Sequence, residues 1–172
     1  MLEALRARVV AAALLGAIAV VVMLPAGASA ATISSSYAIH GYEYFATTTQ
    51  GRFAGTATGS SGDRAAWNAI VNHTPLTVTA GITGGSARLV TTRFVSIRGG
   101  FSGGSVRQTS AGANCTNQTY AVVGTLTNVT RSDSARRGTG RFVATLTHLR
   151  TRILGHCILY SARVVGTISL SF

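Results

Sequence analysis

From residue 37 onward, apolar and polar side chains alternate with a period of two, the spacing of strands that bury one face. The last segment carries this furthest. Ile158, Tyr160, Ala162, Val164, Gly166, Ile168, Leu170 and Phe172 fall on one face, and Leu159, Ser161, Arg163, Val165, Thr167, Ser169 and Ser171 on the other. Two segments before it behave alike. Tyr120, Val122, Gly124 and Leu126 share a face within Thr119 to Val129, and Phe142, Ala144, Leu146 and His148 share one within Arg141 to Arg150. Further strands are predicted at Tyr37 to Thr47, Arg52 to Thr58, Ala65 to Asn72, Leu76 to Thr79, Ala87 to Ile97 and Gly104 to Thr109. Turn signals separate them: Gly59-Ser60-Ser61-Gly62-Asp63, Thr74-Pro75, Gly84-Gly85 and Gly99-Gly100, with Arg131 to Gly140 and Thr151 to His156 as later connections. Asp63 to Ile70 is the one stretch with helical features, and its β-branched and aromatic residues rank strand above helix there.

An all-β domain of about eight to ten short strands with glycine-marked turns fits a single antiparallel β-barrel, with a sandwich as the alternative. Glycines inside strands, such as Gly166, favour the barrel, because strands must bend for a sheet to close.

The first thirty residues follow a different rule. Arg6 and Arg8 precede an unbroken apolar run from Val9 to Leu24, which Pro25 and Gly27 end. Ala28-Ser29-Ala30 then offers small residues where a signal peptidase cuts, so cleavage is expected before Ala31. A retained N-terminal anchor is the alternative, although the run is shorter than the roughly 20 residues of a membrane span. The mature chain, residues 31–172, is then a single secreted or envelope-associated domain large enough to bury a core.

Charge adds a surface property. The formal net charge is +11, every basic residue is Arg, and residues 31–172 hold 13 Arg against 3 acidic residues. The absence of Lys beside abundant Ala, Gly and Val matches a GC-rich bacterial codon usage. Such a surface attracts anionic envelope polymers or lipid headgroups. No aromatic platform or known fold accompanies the basic residues, so specific nucleic-acid recognition is not expected. Cys115 and Cys157 both lie in the exported part, where a pair forms a disulfide more readily than a metal site. In a meander of the last three strands, the bridge must pass over the end of the middle strand, because strands two spacings apart stand about 9.6 Å apart.

Short Gly-Phe motifs recur along the chain. Gly51-Arg52-Phe53-Ala54-Gly55-Thr56-Ala57, and Gly140-Arg141-Phe142 after Gly138-Thr139, resemble those of the secreted dirigent and allene oxide cyclase-like barrels. The resemblance implies an eight-stranded, lipocalin-like barrel that holds a hydrophobic small molecule. It carries over no catalytic residue.

Candidate chemistry is sparse. Gly100-Phe101-Ser102-Gly103-Gly104 matches G-x-S-x-G, with Asp133 and then His148 or His156 in hydrolase order. No helix follows Ser102, so a β-turn is the better reading of that motif. His73, His148 and His156 lack metal-ligand spacing, and neither a metal nor a cofactor is expected. Glu43 stands among His40, Tyr42 and Tyr44 with Ile39 and Phe45 on its own face. Inside a barrel it would need a partner or a raised pKa; the plain alternative is a solvated carboxylate on an edge strand. Glu43, Tyr44 and Tyr160 are the candidate ligand-binding residues. The leading expectation is a non-enzymatic exported barrel, basic outside and able to hold a small apolar ligand. The alternative is a cyclase or isomerase with a polar site in the lumen, and a secreted toxin or inhibitor is a third class. A buried Glu43 beside a Tyr or Arg in an open pocket would favour the enzyme.

Overall fold

The computed structural model describes residues 32–172, and the predicted leader with its cleavage site lies outside them. Eight strands form an antiparallel barrel in chain order. They are β1 (Ser34–Ala46), β2 (Gln50–Gly59), β3 (Arg64–His73), β4 (Thr79–Thr91), β5 (Ser96–Ala111), β6 (Gln118–Arg131), β7 (Ser134–Ile153) and β8 (His156–Ser171). The sheet closes where β1 pairs with β8, from Ser34↔Ser171 to Tyr42↔Arg163. Closure removes every long free edge, the exposed pairing surface that open sheets must protect. β1 is therefore no edge strand, contrary to the plain reading of Glu43.

The two-residue period decides what fills the lumen. Ile39, Trp67, Leu89, Ile97, Leu126, Phe142, Val164 and Ile168 are buried inward, while Arg64, Arg88, Arg98, Arg141 and Arg163 alternate with them and face out. Residues 64–70 fall in β3, so strand prevails there, as ranked. Bulges reset the alternation in several strands, β6 and β1 among them. The β6 register shifts between Leu126 and Val129 around Asn128, whose φ is +51°, and this turns Val129 inward as well. The β1 register shifts between Glu43 and Phe45, so Phe45 leaves the face of Glu43 and lies under the Arg52 guanidinium, 5.0 Å from its ring centre.

The middle of the chain departs from the expected strand boundaries. Leu76 lies in the β3–β4 connection, and the run expected from Ala87 to Ile97 is cut by a turn at residues 92–95, with Phe94 at φ +61°. Gly84-Gly85 and Gly99-Gly100 are not turns; they lie inside β4 and β5, as does the G-x-S-x-G stretch. The physical reason is close approach in a bent sheet. A Cβ on Gly85 (φ +120°) would stand 1.9 Å from the Ile70 carbonyl oxygen, and one on Gly104 (φ +134°) 2.0 Å from that of Val123. Glycine here marks curvature, which composition alone cannot distinguish from a turn.

The two ends differ. Toward the end bearing the β2–β3, β4–β5 and β6–β7 turns the lumen is filled, and Trp67, Phe101 and Phe142 plug it at mid-height, with Phe142 centred 6.2 Å from the Trp67 ring and 5.7 Å from that of Phe101. The opposite end is open.

Candidate functional site

The open end holds a cavity of about 370 Å³. Phe53, Val71, Leu76, Val106, Val122 and Leu146 form its apolar wall, and Glu43, His73, Tyr120 and His148 are its titratable groups. Each reaches it by register. Tyr120 and His148 continue the inward faces of β6 and β7, where Tyr120 pairs with Leu146. Glu43 follows Tyr37, Ile39 and Gly41 on the inward face of β1.

Glu43 and His148 form a pair more enclosed than Arg93–Asp63 or Arg131–Asp133. His148 Nε2 and Glu43 Oε2 are 2.9 Å apart, and their side chains are 16% and 7% exposed. The strands that carry them, β1 and β7, are not neighbours; β8 runs between them. Two strand spacings are about 9.6 Å, which both side chains together can span. On β8 the intervening position is Ala162, paired with His148 and next to Arg163, the last partner of β1. Its small side chain leaves the crossing open. Gly51 does the same from below: a Cβ there would meet Glu43 Oε1 at 2.8 Å and Phe53 Cζ at 2.7 Å. The Tyr120 ring packs edge-on against the imidazole, 5.1 Å between centres. Buried in this way, the dyad can exchange a proton with a bound molecule or hold a polar group by hydrogen bonding.

Burial pushes the Tyr120 hydroxyl above the ordinary 10.0 of tyrosine; Arg150 opposes the shift and Glu43 adds to it. Tyr37, near the plugged end, moves the same way, again chiefly through burial. Above pH 10 the folded chain therefore keeps protons that the unfolded chain has lost. The stability these hydroxyls contribute is present in full below pH 10 and is lost as pH rises through their raised values. Phenolate absorbance followed alongside unfolding should show this alkaline loss. Tyr37→Phe with Tyr120→Phe should shrink both it and the latest part of the phenolate titration; an unchanged alkaline profile would contradict the assignment.

Of the three residues proposed to bind a ligand, Glu43 lines the cavity. Tyr44 and Tyr160 do not: they are 54% and 61% exposed on the outside. Tyr44 sits at the β1 bulge, and Tyr160 at a bulge between Leu149↔Ser161 and Arg150↔Leu159, where β7 and β8 have run past the barrel. The hydrolase constellation is not assembled. Ser102 is exposed on β5, and Asp133 is held by Arg131 (2.8 and 2.9 Å) at the plugged end, away from His148. That guanidinium holds the Asp133 carboxyl below the usual carboxylate range. Comparison with known proteins returns no match: no family model, no curated protein and no solved structure. The site is thus read from its own geometry. His148 and Tyr120 were missed as binding residues, although both were legible as polar side chains in phase with apolar faces.

The disulfide joins Cys115 to Cys157 with their Cα atoms 5.5 Å apart. It staples one rim of the barrel, as expected, and fits an oxidising, extracellular compartment. It lies at the far end of β7, where Cys157 pairs with Arg152, one residue before the strand ends. β7 runs on to Ile153, and the short 3-10 turn Ala113–Cys115 reaches this extension, where the Arg150 N–H donates to Asn117 Oδ1 at 3.2 Å.

Proposed function

We propose that this is an exported, envelope-associated barrel that binds a small, largely apolar molecule in its open end, with the Glu43–His148 pair holding that molecule's one polar group. One observation carries the reading: a buried carboxylate, partnered by a single imidazole, faces an apolar cavity of about 370 Å³. Ligand pockets are of this kind, mostly apolar with a few placed polar groups. His148 engages Oε2 and leaves Oε1 to a ligand. The leader cleaved before Ala31 and the basic exterior supply the address, and the resemblance to dirigent and allene oxide cyclase-like barrels points to the same ligand class.

Displacement of a neutral fluorescent naphthylamine tests this. One probe per chain should bind, and Val122→Trp, which fills the cavity, should abolish binding. 1-Naphthol should compete better than naphthalene by about 1.5–3 kcal/mol, the worth of a hydrogen bond to a charged group. Glu43→Ala should erase that difference. Probe binding that survives Val122→Trp would place it on the surface and end the proposal.

A second reading rests on the same pair. Glu43 and His148, with Tyr120 against the imidazole, are the parts of a proton-transfer site, which is the chemistry of an isomerase or cyclase. It shares the cavity and is separated from simple binding by turnover of a bound ligand.

A further inference from the structure

The β7–β8 hairpin outruns the barrel. β6 stops pairing with β7 at Gln118↔His148, and β1 stops pairing with β8 at Tyr42↔Arg163. Beyond these points Leu149↔Ser161 to Ile153↔His156 continue as a two-stranded arm. At about 3.3 Å per residue it reaches about 16 Å past His148, at the mouth of the cavity. Its tip is unusual in sequence. Leu154 and Gly155 both have positive φ, +50° and +83°, as in the turn that normally takes Asn-Gly. A leucine is disfavoured in that backbone and gains nothing from packing, since it is 94% exposed beside Ile153 at 51%.

The surroundings are polarised. Nine of the thirteen large apolar side chains exposed among the described residues lie on the mouth half. Arg150, Arg152 and Arg163 stand on or beside the arm. The carboxylates lie elsewhere: Glu43 points into the cavity, and Asp63 and Asp133 sit at the plugged end. We propose that the mouth end docks on an anionic lipid bilayer, with the arginines against the headgroups and the Ile153–Leu154 tip inserted at the headgroup–acyl boundary. A soluble polyanion would satisfy the arginines and offer no apolar phase for the tip. A second copy would bring like charges together. A bilayer with anionic lipids satisfies both halves of the surface. The disulfide suits this role, because it lands two residues beyond the Leu154–Gly155 turn and fixes the arm to the rim.

The proposal stands on the exterior alone, whatever the cavity holds. Its test is co-sedimentation of the barrel from Ala31 onward, whose sheet and core lie within residues 32–172, with phosphatidylcholine vesicles with and without phosphatidylglycerol. The wild type should pellet with the anionic vesicles. Ile153→Asp with Leu154→Asp should weaken the partition by about tenfold or more. Arg152→Gln should weaken it by about fivefold, and Phe94→Asp, an equally exposed apolar turn at the plugged end, should change it by less than about twofold. Leu154→Asn, which suits the turn backbone, supplies the tip result if the double variant melts early. Failure of the wild type to bind, unchanged binding by the tip variants, or an equal loss with Phe94→Asp would each overturn the proposal. So would dextran sulfate binding that matches vesicle binding in strength and salt dependence.

Discussion

Phe142→Ala is expected to cost about 3–5 kcal/mol, the range for truncating a fully enclosed aromatic. Phe142 is 1% exposed and touches two other rings, Trp67 and Phe101. Its cross-strand partner is Gly124, where a Cβ would stand 2.6 Å from the Phe101 ring, so the backbone of β6 is itself part of the packing surface. The void left by alanine cannot collapse easily, because a closed sheet cannot draw one strand inward without disturbing both neighbours. Leu146 provides the contrast. It is nearly as buried, at 6%, but it borders the cavity, and Leu146→Ala enlarges a space that already exists. Its cost should fall near the low end of about 2–5 kcal/mol. Urea unfolding of both variants gives the comparison. An equal or larger loss at Leu146 would mean that the open end, and not the aromatic plug, carries the stability of the barrel.

Phe142 was legible in the sequence because it obeys a single local rule, whereas Phe101 was not, since its glycine-rich stretch read as a turn. Phe142, Ala144 and Leu146 alternate with polar neighbours, and each is buried where the alternation places it. The Glu43–His148 pair was half legible. Each residue was in phase with an inward face, but their meeting depends on closure: only when β1 pairs with β8 do residues 105 positions apart come within reach. The sequence pointed to a barrel, but strand alternation does not state the register at which β1 meets β8. Tyr160 shows the opposite limit. It keeps the parity of Ala162 and Val164 and is nevertheless exposed, because parity assigns a face and cannot say whether a barrel still lies behind that face. Glycine was ambiguous for a third reason. It permits turns and close approaches alike, and Gly85 belongs to the second kind.

Cys115→Ser with Cys157→Ser should lower stability by about 4 kcal/mol in the chain-entropy account, given a sequence separation of 42. The loss should not be uniform. The β7–β8 ladder from Thr139↔Ser171 to His148↔Ala162 lies within the closed sheet and needs no staple. The arm beyond it is a two-stranded ribbon, a form that is marginal in water on its own. Its apolar side chains at Ile153, Leu154 and Leu159 are all more than half exposed and give it little burial to rely on. Amide exchange in residues 149–161 should therefore accelerate well before global unfolding, while the amides of β7 and β8 around Phe142 and Ile168 keep their protection. Reduction of the native protein should reproduce both effects. If exchange in the arm is unchanged when the bridge is cut, the arm is held by contacts other than the disulfide, and the Arg150 hydrogen bonds to Asn117 and Gln118 are the ones to remove next. If the global midpoint also stays put, the bridge constrains neither the unfolded chain nor the fold. The 5.5 Å approach of the two Cα atoms would then be set by the barrel rim alone.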